Sequence, residues 1–186
     1  MIRFEIDEAD LKRVADEFKA TDKQVGQAIS RALSRTAATM RKRAQTALAK
    51  GLDLRRGNAL RKRLKALKLK RKGTIQEISV WFGLNDMKVE DFKGSPKEVG
   101  KGATFRNVSY PGGFVARGRR GNRTVFKRKG RGRFPIVEQT VPIADEAMIL
   151  LEDEVFHDIA QVFGRHFVSD LRARVKFGDA SWDRRR

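Results

Sequence analysis

The sequence has no cysteine, so disulfide staples, cysteine-based zinc sites and thiol catalysis are excluded, and a reducing cytosol suits it. Histidine is nearly absent. His157 and His166 lie nine residues apart in one helical stretch; at about 100° per residue they fall on opposite faces and cannot share a metal. Asp153 and His157 have i, i+4 spacing, but such a helical pair is most often a surface hydrogen bond, and no third ligand accompanies it. Long apolar runs are missing as well. The longest, Ala147 to Leu151, falls far short of a membrane span, and the opening MIRFEIDEADLKRV is not a basic-then-apolar leader. A soluble chain with no secretion signal and no membrane contact is expected. The patterns GxxxxGK[ST], GxSxG and HExxH do not occur, nor does GxGxxG between a strand and a helix, and each acidic cluster reads as a solvated helix face. No catalytic residue, metal or cofactor is expected, and the chain reads as a non-enzyme.

Acidic residues, in turn, are missing from two places. Residues 55 to 72 (RRGNALRKRLKALKLKRK) hold ten Lys/Arg and residues 117 to 133 (RGRRGNRTVFKRKGRGR) hold nine, with no Asp or Glu in either. Together they account for the formal net charge of +19, because the other 23 basic residues are balanced by 23 acidic ones. Cationic blocks repel themselves and each other unless solvent or an anionic partner surrounds them, so a polyanion or an acidic protein surface is implied. The blocks hold a single aromatic, Phe126, whereas RNA-reading modules interleave aromatics that stack on bases. Base recognition is therefore not expected, while nonspecific contact with phosphates or with an acidic protein is.

What is present suggests one α+β domain over residues 1 to 178 and a loose tail over 179 to 186. With 186 residues and 40% apolar content the chain can bury one core. Ile2, Phe4 and Ile6 alternate as in a short strand, and Leu11, Val14, Ala15 and Phe18 follow a helical stripe. Asp22 is placed to cap a long helix over 22 to 50 that stops at Gly51. Between Ala28 and Thr39 this helix is rich in Ala, Ser and Thr, a nearly flat face that suits a sheet or a neighbouring subunit. Asn58 opens an expected basic helix over 58 to 70, with Leu60, Leu64 and Leu67 on one side and Arg61, Lys62, Arg63, Lys65 and Lys68 around the rest. A strand over 78 to 84, a long polar connection over 85 to 103, and a hairpin from 113–116 and 124–127 around Arg119-Arg120-Gly121-Asn122 follow. Pro135 and Pro142, which bound the extended piece 133 to 141, favour an edge or a strand end over a central strand. The last long helix, 144 to 177, has Met148, Leu151, Val155, Ile159, Val162, Phe163, Phe167, Leu171 and Val175 on its apolar side, acids in its first half, and Arg165, Arg172 and Arg174 in its second, as the helix dipole prefers. The expected architecture is a small, mostly antiparallel sheet packed by the two long helices, with the basic hairpin and basic helix projecting.

The order of parts carries a resemblance. A helix with AISRALSRTAATMRKRAQ leads into LRRGNALRKRLKA, then a strand, a glycine-punctuated loop, PGGFVARG, the basic hairpin, RFPIVEQTVPIA and a terminal helix. Over roughly residues 20 to 175 this resembles the minor tail protein Z family of lambda-like phages and prophages. The sharpest local markers are Pro111-Gly112-Gly113-Phe114-Val115 and Arg133-Phe134-Pro135-Ile136; the loop 85 to 103 and the tail after Gly178 depart from the family pattern. The resemblance implies a structural virion protein, found in the tail or neck and in the host cytoplasm during assembly. It implies a tail completion component, forming a ring, as a hexamer, where tail meets head. Its partners would be further copies of itself, a tail terminator or tail tube, head-closure proteins and, in the lumen, genome DNA held nonspecifically.

On this reading the contacts to DNA or to an acidic partner fall on Arg61, Lys62, Arg63, Lys65, Lys68, Arg117, Arg119, Arg120, Arg123, Lys127, Arg128 and Lys129. Subunit docking falls on Glu152, Asp153, Glu154 and Asp158. The alternative from charge alone is a nonspecific RNA- or DNA-binding protein of the ribosome or nucleoid, which has no need of the acid-rich helix.

Overall fold

A computed structural model describes residues 2–4, 8–64, 68–72, 75–80 and 82–178. The fold is α+β, and every strand pairing among these residues is antiparallel. Instead of one sheet the described residues form four small ones, and the chain divides into two compact units. The first comprises Met1–Ala44, Leu64–Phe82 and Asp153–Arg186, the second Gln45–Arg63 and Gly83–Glu152.

In the first unit, β1 (Ile2–Phe4), β3 (Ile75–Val80) and β2 (Lys68–Lys72) form a sheet in the order β1-β3-β2. Helix α1 (Glu8–Glu17) precedes α2 (Asp22–Gly51), whose end at Gly51 is where the sequence places it. Its cap differs: Gln24 N donates to Thr21 Oγ1 at 3.3 Å and Thr21 N to Gln24 Oε1 at 3.0 Å, a reciprocal capping box in which Thr21, not Asp22, takes the cap position.

The flat face of α2 meets another helix of the same chain. Its neighbour is α4 (Ile159–Phe177), running antiparallel: Gln27 meets Arg174, Arg31 meets Asp170, Thr39 meets His166, and Arg43 meets Asp158. Buried Ala28, Ala32, Ala37 and Ala44 on α2 leave room for the buried Phe163, Phe167 and Leu171 of α4. A polar cluster lies where the first turns of α2 meet the last turns of α4. Asp170 is 4% exposed and Arg174 8%. Asp170 accepts from Arg174 Nε at 2.6 Å and pairs with Arg31 Nε at 3.2 Å, while Arg174 Nη1 donates to Gln27 Oε1 at 2.6 Å. Arg174 thus completes a buried network, and its role is not confined to the helix dipole.

The expected single helix over 144 to 177 is broken. Helix α3 (Ala144–Leu151) runs into a π-helical segment, Glu152–Phe156, and a turn at 157 and 158 before α4 begins. A π segment widens the turn and shifts the helical phase, so Val155 and the adjacent Phe156 are both buried, whereas Met148 and Val175, expected on the apolar side, are exposed. Gly178 ends α4 as expected, with φ +69° and its N–H on Arg174 O.

The second unit is built of short local sheets. β5 (Lys97–Val99), β6 (Gly102–Phe105) and β7 (Val108–Pro111) form a meander inside and just past the expected polar loop. β4 (Met87–Lys88) pairs with β11 (Thr140–Val141), and β8 (Gly113–Arg117), β9 (Arg123–Arg128) and β10 (Ile136–Glu138) form a sheet with β9 in the middle. The hairpin and the edge placement of the proline-bounded piece are as the sequence indicates. Gly112 joins β7 to β8 at φ +71°, a left-handed conformation that favours glycine, and a Cβ on Gly113 would stand 3.0 Å from Tyr110 O. The PGG marker is accordingly a packing requirement. Met87, Val89, Phe92, Phe105, Val125 and Ile143 are buried in this unit.

Burial also sets a pH dependence in the first unit. His166 is held below the usual imidazole range first by burial and then by the charges of Arg35 and Arg165. Thr39 donates its only hydroxyl hydrogen to Arg35 O at 2.9 Å, so across the 3.4 Å to His166 Nε2 the ring is the donor. A lowered folded pKa means that the unfolded chain binds the proton first, so stability falls as pH drops below the ordinary value of 6.5 and levels off beneath the folded value. Asp158, lowered by its bond to Arg43, loses its contribution only at more acid pH, below its ordinary 3.8. Melting curves between neutral pH and mild acid should therefore show a loss that His166→Gln flattens; an unchanged slope in the variant would assign the loss elsewhere.

Candidate functional site

The acid-free segment 117 to 133 is displayed on a two-stranded scaffold. β8 and β9 pair from Gly113↔Lys127 to Arg117↔Arg123, and the turn is closed by Gly118 N on Asn122 O at 2.8 Å and Gly121 N on Gly118 O at 3.0 Å. Gly121 supplies the φ of +81° that the turn needs. Arg117 and Arg123 are directly opposed across the strands, a like-charge arrangement that destabilises a hairpin. Neither they nor Arg119 pair with a carboxylate among the described residues; Arg117 reaches only Gly121 O, at 3.4 Å. Lys127, Arg128 and Lys129 are exposed at the other end of β9, away from the turn, with Arg128 Nη1 on Arg133 O at 3.4 Å.

Arg120 departs from this pattern. It turns back onto Asp91, to which its Nη1 donates, with Nε 4.0 Å from Glu90 Oε1. Asn122 Nδ2 adds a 3.5 Å bond to Glu90 O. The tip is therefore tied down on the 3-10 turn Val89–Asp91 and does not project freely. Glu90 is 2% exposed, and its Oε2 has no hydrogen-bond donor among the described residues. Arg120 and, more distantly, Lys88 oppose its charge; Lys88 itself is held above its ordinary range by its hydrogen bond to Glu138 and further by the charges of Glu138, Glu90 and Asp91. A Cβ on Gly118 would overlap Glu90 Oε2. Gly118→Ala should consequently cost about 1–3 kcal/mol as overpacking does, read as a lower urea midpoint with an unchanged m-value. An unshifted midpoint would mean that Glu90 is not confined there.

The other basic block is arranged differently from the expectation. The basic helix 58 to 70 is absent: a 3-10 turn, Gly57–Leu60, and a turn through 63 are followed by strand β2. The register runs from Lys68↔Ser79 to Lys72↔Ile75, so KLKRK and IQEISV form a hairpin with two residues between. Arg61 and Lys62 are exposed. Arg63 is engaged within the chain, donating to Asn85 O and, at 2.8 Å, to Asp86 O. Lys65 lies outside the described residues, and Lys68 is a strand residue.

Of the four docking residues, Glu152, Asp153 and Glu154 are exposed in the π segment. Asp158 is not available: it pairs with Arg43 at 2.7 Å. Sequence reasoning misses Glu90 and Asp91 as the anchor of the hairpin tip, and no periodic signal marks them. Among the described residues no three of His, Asp and Glu gather as metal ligands would, and no helix is long and apolar enough to cross a membrane. Comparison with protein-family models, curated proteins and solved structures finds no match.

Proposed function

We propose that this chain is a non-enzymatic structural protein of a phage virion, a tail completion or neck component that assembles as a ring at the head-tail interface and supports joining of the tail to the head. The order of elements over residues 20 to 175 supports the reading through its resemblance to minor tail protein Z. The structural observation that carries it is the row of guanidiniums at Arg117, Arg119 and Arg123, two of them opposed across a hairpin with no acidic partner among the described residues. A protein tolerates such repulsion where an anion arrives from outside. In a neck that anion is genome DNA in the lumen or an acidic face of a neighbouring tail terminator, tail tube or head-closure protein.

Particles assembled without this gene should accumulate as separate filled heads and finished tails, and adding the purified protein should join them. Normal joining without the gene, with the protein recovered on ribosomal RNA or nucleoid DNA, would replace this reading with the nonspecific nucleic-acid one.

A further inference from the structure

The second unit carries two uncovered surfaces whose chemistries match. One is the outer edge of the β8-β9-β10 sheet. Among the described residues β10 has a strand partner on one side only, which leaves its outer edge uncovered. Ile136 and Val137 are both exposed, on opposite faces of the strand because they are adjacent in it, and Phe134 just before them is 71% exposed. Around these apolar side chains stand Lys127, Arg128, Arg131 and Arg133, none with a carboxylate partner among the described residues.

The other surface is the outer face of α3. Ala147 and Leu151 point inward, while Met148 and Ile149 are exposed, Ile149 at 60%. Asp145 and Glu152 sit one turn before and after them, so the exposed stripe reads acid, apolar, acid at i, i+3/i+4, i+7. Glu146 is exposed beside it. Both surfaces carry exposed apolar side chains; the charges around the first are basic apart from Glu138, which is paired with Lys88, and those around the second are acidic.

We infer that the α3 face of one copy of this chain docks on the β10 edge of a second copy. Because each surface is exposed, neither covers the other within one molecule. A contact between two different patches is heterologous: it leaves every copy with one patch occupied and one vacant, and growth ends only when a ring closes. The rims steer the two copies, fix their orientation and contribute a salt-sensitive share of the affinity, and burial of Met148 and Ile149 against the apolar side chains at the β10 edge contributes the rest. This deepens the reading above by naming the surfaces of the proposed ring, and it rests on that reading for its setting.

The test uses the purified full chain and analytical ultracentrifugation. The wild type should self-associate at low salt and dissociate as salt rises. Met148→Asp with Ile149→Asp should leave monomers, as should Phe134→Lys with Val137→Lys. An equimolar mixture of the two variants retains one intact patch of each kind and should form one-to-one dimers that grow no further. Should either pair of changes unfold the chain, Asp145→Lys with Glu152→Lys and Arg131→Glu with Arg133→Glu alter only exposed charges, and again the singly altered proteins should lose association while their mixture regains it. A wild type that stays monomeric at its highest soluble concentration overturns the inference, and so does a mixture that stays monomeric. Head-tail joining is not a readout here, so failure of the tail reading would leave this result standing, and failure of this interface would leave the gene-deletion result standing.

Discussion

Asp170→Ala is expected to lower the stability of the first unit by about 3–5 kcal/mol, the usual consequence of removing one partner of a buried ion pair. Arg174 would then keep its charge in a site where it is 8% exposed, with Gln27 as its remaining side-chain acceptor. Arg31, by contrast, has nearly half its side chain in solvent and should lose little when Asp170 goes. Asp170→Leu combined with Arg174→Met removes both charges and fills similar volume, and should recover most of the loss. Urea unfolding of the three proteins distinguishes the cases. A small effect of Asp170→Ala, under about 1 kcal/mol, would show that water reaches Arg174 and that the pair is in effect a surface one.

Arg117→Ser, Arg119→Ser and Arg123→Ser together are expected to abolish most head-tail joining while leaving the melting temperature unchanged or raised. No core residue changes, and the opposition of Arg117 and Arg123 across the hairpin is relieved. Arg120 is kept because it secures the tip to Asp91. If the anion is DNA, the slope of log affinity against log salt should shrink by about 0.9 for each phosphate no longer neutralised. If it is an acidic protein ring, the variant should fail to join tails to heads whether or not the heads hold DNA. Normal infectivity of the triple variant would remove the hairpin from function and leave the other block, in which Arg55, Arg56, Arg61 and Lys62 are exposed.

Much of this fold is legible in the sequence where one physical signal dominates. The 22 to 50 helix is marked by its apolar line and terminal Gly51, and the hairpin by two short β-prone runs around a glycine turn. The segment 58 to 70 misleads because Leu60, Leu64 and Leu67 keep helical spacing while KLKRK, starting at Lys68, is a strand; pairing with Ile75–Val80 decides the outcome. The strands inside 85 to 103 are two to four residues long, too short for any periodicity. The break after Leu151 has no proline or glycine to announce it, and only the burial of adjacent Val155 and Phe156 explains the phase shift. For the candidate site, the charges are visible in the sequence but their partners are not. Arg63, Arg120 and Asp158 are each held by residues remote in sequence, and charge counting cannot separate a side chain so engaged from one facing solvent.

The division of the chain into units also has a direction in time. Every segment of the second unit precedes Asp153, so during synthesis that unit has all its residues before α4 exists. Gln27 and Arg31, made among the first, have to wait for Asp170 and Arg174, made among the last. On the ribosome, therefore, the alanine face of α2 spends nearly the whole of translation without the helix that covers it.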